Sequence, residues 1–239
     1  MNVYAERLRQ VRSRIDAACE RSGRPSGSVR LLAVSKQHPP EAVAALEALG
    51  QIDFGENRLQ EALEKQVVLA DADITWHFIG PVQSNKTRDI AAHFAWVQSV
   101  DREKIVRRLQ AQRPAQLPPL QVCLQVNIDR EPQKAGADPG DVAELAALTA
   151  DSDRLTLRGL MCLPALTEDE DRTRDSFRRL AELADELRRR GHDLDTLSMG
   201  MSGDLELAVA CGSTLVRVGT DLFGPRPGTT STTPEETTA

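Results

Sequence analysis

Lys36 follows the run Val29-Arg30-Leu31-Leu32-Ala33-Val34-Ser35, which reads as a strand buried on both faces. A lysine at the end of such a strand loses hydration. Its pKa falls, and its neutral amine can attack a carbonyl to form a Schiff base. The same place suits a lysine that snorkels into water, so the motifs around it must decide. Near the other end of the chain, Ser198-Met199-Gly200-Met201-Ser202-Gly203 and Arg217-Val218-Gly219-Thr220 pair glycines with hydroxyl side chains. Gly200, Gly203 and Gly219 let backbone approach an anion closely, and Ser202 and Thr220 add donors, which is chemistry suited to a phosphate. Ser202 also precedes a helical pattern starting near Asp204 and reads as its N-cap. Arg217 stands inside the apolar run Leu215-Val216-Arg217-Val218, and an inward guanidinium needs an acceptor there. A pyridine nitrogen or an inward carboxylate would serve. A reactive lysine combined with a phosphate site points to a phosphorylated carbonyl compound. Pyridoxal 5′-phosphate and a sugar phosphate on an aldolase-type lysine both meet that description.

These residues need a scaffold that gathers them. The chain opens with a helical stripe of Tyr4, Leu8, Val11, Ile15 and Ala18, ended by Gly23, Pro25 and Gly27. Strand-like runs then alternate with helical patterns. The strands are expected at 29–35, 52–54, 74–79, 95–100, 120–127, 155–163, 196–199 and 214–218. Asp101 is expected to cap one helix, Asp138-Pro139 marks another, and Thr167 with Glu170 has the capping-box spacing. A helix over about Asp171 to Arg190 carries Phe177, Leu180, Leu183 and Leu187 on one side, and Gly191 closes it. Roughly eight β-α units in a chain of this length predict a single (β/α)8 TIM barrel with an extra N-terminal helix. An open doubly wound sheet would be unusually wide, and Lys36-Gln37-His38-Pro39-Pro40 stands where its glycine fingerprint belongs.

In a barrel, chemistry collects at the C-terminal ends of the strands, with phosphates favoured by the loops after strands seven and eight. Lys36, Gly55-Glu56-Asn57, His77, Gly80-Pro81, Asn127, Ser202, Arg217, Gly219 and Thr220 all fall at such ends.

The 239 residues, 40% of them hydrophobic, can bury a full core. With 28% charged residues, a net charge of −6 and no basic stripe interleaved with aromatics, nucleic acid is not an expected partner. Cys19, Cys123, Cys162 and Cys211 lie far apart and read as reduced thiols of a cytoplasmic protein. The four histidines have no metal-ligand spacing, so no metal is expected. The first residues lack a signal-peptide pattern and no apolar stretch is long enough for a bilayer, so no membrane partner is expected. The domain is expected over 1–227. Residues 228–239, rich in threonine with nothing to bury, read as a disordered tail. A complete barrel needs no partner to close its core, which makes monomer the expectation.

The chain resembles the YggS/PROSC family of pyridoxal phosphate homeostasis proteins over nearly its whole length, up to about Pro227. The resemblance rests on Leu32-Ala33-Val34-Ser35-Lys36, Phe54-Gly55-Glu56-Asn57 and the long Trp76-His77-Phe78-Ile79-Gly80-Pro81-Val82-Gln83-Ser84-Asn85-Lys86. It continues in Arg158-Gly159-Leu160-Met161, Leu197-Ser198-Met199-Gly200-Met201-Ser202 and Val216-Arg217-Val218-Gly219-Thr220-Asp221-Leu222-Phe223-Gly224. It implies a barrel similar to the N-terminal domain of alanine racemase, with pyridoxal 5′-phosphate in a Schiff base on Lys36. It further implies a phosphate near Ser202, Gly219 and Thr220, and Arg217 facing the pyridine nitrogen. Asn57, His77 and Met201, carried by the same motifs, complete the expected cofactor contacts. The chain departs from the family at Gly203, where relatives often carry a polar or acidic residue. It departs again at Lys134-Ala135-Gly136, where they often read Lys-Ser-Gly. Lys134 accordingly reads as a solvated loop lysine.

The resemblance also bears on catalysis. Arginine scarcely gives up a proton, so a pyridine nitrogen facing Arg217 stays unprotonated and the ring is a weak electron sink. Racemisation needs a second base, which alanine racemases take from a tyrosine of an added β-domain across a dimer. The one tyrosine here, Tyr4, belongs to the N-terminal helix, and no such domain is read in this chain. The leading expectation is therefore a cofactor-binding protein that buffers pyridoxal 5′-phosphate or delivers it to apoenzymes, with no catalytic residue assigned. A weak amino-acid racemase or decarboxylase-like enzyme, with Lys36 as base and water or His77 as its partner, comes second, and a class I aldolase on a phosphosugar third.

Overall fold

The structure is a computed structural model and describes residues 3–225. The tail expected at 228–239 lies outside the described residues. The first helix, α1 (Val3–Arg21), buries Leu8, Val11, Ile15 and Ala18, so the sequence stripe is its packed face. Strands and helices then alternate: β1 (Arg30–Val34), α2 (Pro40–Glu47), β2 (Asp53–Glu56), α3 (Leu59–Val68), β3 (Thr75–Phe78), α4 (Thr87–His93), β4 (Trp96–Val100) and α5 (Glu103–Gln112). The second half repeats the pattern with β5 (Leu120–Val126), α6 (Val142–Ala150), β6 (Leu155–Cys162), α7 (Glu170–Arg189), β7 (Thr196–Ser198), α8 (Leu205–Ala210), β8 (Leu215–Val218) and the single turn α9 (Thr220–Phe223). All eight strands are parallel and close into a barrel, with β1 paired to β2 on one side and to β8 on the other. This is the (β/α)8 barrel that the alternation predicts. Strands covered by helices outside and packed side chains inside are buried on both faces, which is why they read as near-continuous apolar runs.

The main core lies between the strands and the helices, where Phe54, Phe94, Ile105, Leu109, Phe177 and Leu180 are fully buried. The lumen is different. A small separate cluster of Trp96, Cys123 and Met161 lies in it, beside the fully buried Leu32 and Leu215. Buried polar groups from five strands join it: Asp53, His77, Gln98, Ser198 and Arg217. Buried polar side chains must be hydrogen-bonded to persist, and these are bonded largely to one another. Cys123 and Cys162 are buried, and burial pushes both thiols up to about 12, so neither is a nucleophile. Among the described residues no helix is long and apolar enough to cross a membrane.

Three expected caps are corrected. Asp101 pairs with Arg102 and leaves α5 without a side-chain cap. Thr167 accepts from the Asp169 amide, while Asp169 itself caps α7 through the amides of Asp171 and Arg172. The residue before α8 is Asp204, and Ser202 lies in the loop ahead of it. On α7, Ala184 is buried where Leu183 was expected, and Leu183 is half-buried at the edge of the stripe.

Candidate functional site

The C-terminal mouth of the barrel holds a cavity of about 400 Å³, lined by Lys36, His38, Asn57, Gly80, Met161, Met201, Ser202, Arg217, Gly219 and Thr220, with Val34, Ile79 and Leu163 among its apolar walls. That size suits a small cofactor. A larger neighbouring cavity of about 660 Å³ shares Met201 and Gly203 with it, but its lining contains no lysine.

Lys36 is half-buried and sits on a loop clamped from α3. The Lys65 ammonium, itself buried, donates to the Ser35 carbonyl at 2.8 Å, to Glu56 Oε1 at 2.7 Å and to Glu61 Oε1 at 2.9 Å. Glu61 Oε1 also accepts from the Gln37 amide at 2.5 Å, and the Ser35 hydroxyl donates to Glu56 Oε1 at 2.6 Å. Gln37 has φ 64°, a left-handed conformation that costs a non-glycine residue about 1–2 kcal/mol. The hydrogen bonds from Lys65 to the Ser35 carbonyl and from the Gln37 amide to Glu61, one on each side of Lys36, hold that turn. Burial pushes the Glu56 carboxyl above the usual carboxylate range, against the pull of Lys65, and Glu56 Oε2 is buried without a hydrogen-bond partner.

Arg217 enters from β8 and is buried. Its Nη1 donates to the Ser198 carbonyl at 2.6 Å and hydroxyl at 2.8 Å, and its Nη2 donates to the Cys162 carbonyl at 2.8 Å. Its hydrogen-bond acceptors are thus two carbonyls and a hydroxyl, and the inward carboxylate that would answer its charge is not among them. Burial lowers its pKa from the ordinary arginine value.

Asn57, at the end of β2, is locked by backbone packing. A Cβ on Gly80 would fall 2.1 Å from the Asn57 carbonyl oxygen, so only glycine allows the β3 loop to lie against it. Across the mouth, a Cβ on Gly219 would lie 3.2 Å from the Val34 carbonyl oxygen, and the bare backbone keeps this wall close to β1.

The structure brings together every cofactor-contact residue expected from the sequence except His77. His77 is fully buried in the lumen, stacked on Trp96 at 5.1 Å, with Nε2 on Asp53 and Nδ1 on Gln98. The inward side of β3 places it below the mouth, and it does not line the cavity. Lys134 is also corrected. It pairs with Glu131 at 2.5 Å and donates to the Pro164 carbonyl at 2.8 Å, tying two loops together instead of pointing into water.

Among the polar side chains of the lining, His38 is the one not expected from the sequence. It is buried and stacked on Phe223 at 4.8 Å. The strand-end rule that singles out Lys36 also covers it, two residues further along the same loop.

Whether these residues fit a phosphorylated pyridine aldehyde is tested by one unsatisfied atom. Asn57 Oδ1 is buried and has no hydrogen-bond partner, though Asn57 lines the cavity. A buried acceptor of this kind requires a donor, and a ring hydroxyl would supply one. With a lysine, a buried guanidinium and two hydroxyl side chains on the same walls, the donor set fits the group.

The chain matches the family described as alanine racemase, N-terminal domain, over residues 7–227. It is 53% identical over 226 residues to the pyridoxal phosphate homeostasis protein of Pseudomonas aeruginosa, covering 95% of this chain and 97% of that one. It is 47% identical over 229 residues to the protein of that name from Escherichia coli, covering 95% and 98%. Among solved structures it is similar to PipY of Synechococcus elongatus with PLP bound, with a TM-score of 0.80 and 41% identity over 92% of this chain and all of that one.

Proposed function

The chain belongs to the pyridoxal phosphate homeostasis family, built on the alanine racemase N-terminal domain, and from that membership we propose a function. It binds pyridoxal 5′-phosphate reversibly through a Schiff base on Lys36 and buffers or delivers the cofactor inside the cell, without strong catalysis of its own. The observation that carries this reading is the cavity that gathers Lys36, Arg217, Asn57 and the Ser202 and Gly219-Thr220 loops. The relatives' shared name and the PLP-bound relative support it.

Bound, the cofactor brings an aldehyde for Lys36 and a ring able to withdraw electrons. Ser202, Gly219 and Thr220 would hold the phosphate, Asn57 would accept from the ring hydroxyl, and Met201 would cover the mouth. Arg217 would serve the pyridine nitrogen. A guanidinium gives up no proton, so that nitrogen would remain unprotonated and the ring would withdraw electrons weakly. Storage suits this arrangement better than carbanion chemistry. The barrel closes within one chain, which supports a monomer, and free thiols support a cytoplasmic setting in which apoenzymes receive the cofactor.

One observation favours a second reading, a weak PLP-dependent amino-acid racemase. His38 shares the cavity with Lys36, so a second titratable group stands beside the lysine. Titration of the cofactor-free protein with pyridoxal 5′-phosphate, followed by α-proton exchange of amino acids in deuterated water, separates the two. Tight binding without exchange supports the carrier, and exchange abolished in both Lys36→Ala and His38→Ala supports the racemase. Absence of binding overturns both.

A further inference from the structure

A chain of hydrogen bonds runs through the lumen away from Arg217. The Arg217 Nη1 donates to Ser198 Oγ at 2.8 Å, and Ser198 Oγ lies 2.6 Å from Gln98 Oε1. Gln98 Nε2 lies 2.9 Å from His77 Nδ1, and His77 Nε2 lies 3.0 Å from Asp53 Oδ1. Arg30 Nη2 closes the far end, donating to Asp53 Oδ1 at 2.7 Å. Ser198, Gln98 and His77 are wholly buried, and Asp53 nearly so.

The chemistry of its ends gives this chain one direction. A guanidinium only donates, so Ser198 accepts from Arg217 and passes its own proton to Gln98 Oε1. The Gln98 amide nitrogen then faces His77, which must accept on Nδ1 and carry its proton on Nε2. That proton goes to Asp53, a carboxylate that only accepts. Burial holds His77 below the usual imidazole pKa, and the neutral ring can fill this role. Burial raises Asp53, but the His77 hydrogen bond and Arg30 outweigh it and keep the carboxylate ionised.

We propose that Asp53, His77, Gln98 and Ser198 are positioning residues, a directional relay that fixes Arg217 in the cofactor cavity from the opposite end of the barrel. The inference rests on the cofactor-binding reading for its functional consequence and on the lumen geometry for its polarity. Asp53 makes the test clean. Its side-chain partners are Arg30 and His77, and neither it nor they line the cofactor cavity. An effect of Asp53 on the cofactor is therefore indirect, and Ser198→Ala, made at the other end, separates the relay from the packing of Arg30 over Trp96.

Asp53→Asn replaces an all-acceptor carboxylate with one acceptor oxygen, which Arg30 and His77 must then share, and one amide nitrogen. The new amide can donate to His77 Nε2, which moves the imidazole proton to Nδ1 and forces Gln98 to turn over. Ser198 is then left with two donors and no acceptor for its own proton. Nitrogen-15 NMR of the cofactor-free protein reads the relay directly. Wild type should show a protonated Nε2 and an unprotonated Nδ1 for His77, and the variant should lose that preference. Titration with pyridoxal 5′-phosphate reads the consequence. Affinity should fall about tenfold, the scale of one hydrogen bond to a charged group, and the bound chromophore should absorb at a shifted wavelength. Ser198→Ala should produce the same two changes from the cavity end.

A His77 proton on Nδ1 in wild type would overturn the polarity. An Asp53→Asn protein with altered His77 but unchanged affinity and spectrum would overturn the coupling to Arg217. If that variant does not fold, Gln98→Met cuts the relay at its middle and is held to the same outcomes. Wild type that binds no pyridoxal 5′-phosphate would instead sink the cofactor reading, while the cofactor-free NMR still decides the relay's direction.

Discussion

Arg217 gives two hydrogen bonds from one nitrogen to a single residue, reaching the carbonyl of Ser198 at 2.6 Å and its hydroxyl at 2.8 Å. The guanidinium at the cofactor cavity is thereby attached to β7 as well as to its own β8, and Cys162 of β6 takes a third bond. Three neighbouring strands fix one charged group.

Arg217→Met keeps the volume and removes the donors. The Ser198 and Cys162 carbonyls would lose their side-chain partner, at about 1–3 kcal/mol for each buried group left unsatisfied. Urea unfolding should show that loss, and pyridoxal 5′-phosphate should bind more weakly. Stability and affinity equal to wild type would remove Arg217 from the site.

Ser202→Ala should weaken phosphate binding by about 1.5–3 kcal/mol, the worth of one hydrogen bond to a charged group. Pyridoxal, which has no phosphate, provides the control. Its affinity should be unchanged while that of pyridoxal 5′-phosphate falls. Equal losses for both ligands would place Ser202 away from the phosphate.

Lys65→Met leaves Glu56 as a buried carboxylate without its ion-pair partner, costing about 3–5 kcal/mol. The pH dependence has a definite sign. The folded-state pKa of Glu56 lies above 4.5, so the folded protein holds its proton longer than the unfolded chain. Stability from Glu56 is therefore present below the unfolded value and lost as pH rises through the folded one. Without Lys65 the folded pKa rises further and the loss extends to higher pH. Urea unfolding at acid and at neutral pH should give a gap between wild type and variant that widens with pH. A gap independent of pH would contradict the role given to Glu56.

Gly80 and Gly203 both belong to the mouth but should respond differently. A Cβ at Gly80 meets the Asn57 backbone at 2.1 Å, whereas one at Gly203 meets nothing within 4 Å. Gly80→Ala should displace Asn57, lowering both melting temperature and cofactor affinity, while Gly203→Ser should leave the melting temperature unchanged. A tolerant Gly80 would mean that the loop is looser than its packing.

The eight strands were legible because burial on both faces writes an apolar run into each, and the barrel followed from their count and alternation. Lys36, Ser202, Arg217, Gly219 and Thr220 were legible because strand ends are where a barrel puts polar residues. Helix starts were less so. At Asp101 and Thr167 another local partner took the side chain, and sequence alone does not rank such competitors. The same strand-end rule put His77 at the mouth, but it lies one inward layer deeper than Ile79, two residues on, which does line the cavity. Gln98 and Ser198 gave no signal as partners, since their contact spans a hundred residues and exists only once the barrel closes. Lys65 gave no signal either, because its burial depends on the acids that Glu56 and Glu61 bring to it.

The central claim is that Lys36 holds the cofactor. The direct test is to add pyridoxal 5′-phosphate to the purified protein, record its visible spectrum, reduce it with borohydride and map the labelled peptide. A visible band that disappears on reduction, with the label on Lys36, is the expected result. A protein that stays colourless with added cofactor, or carries its label on another lysine while Lys36 is intact, would contradict the account.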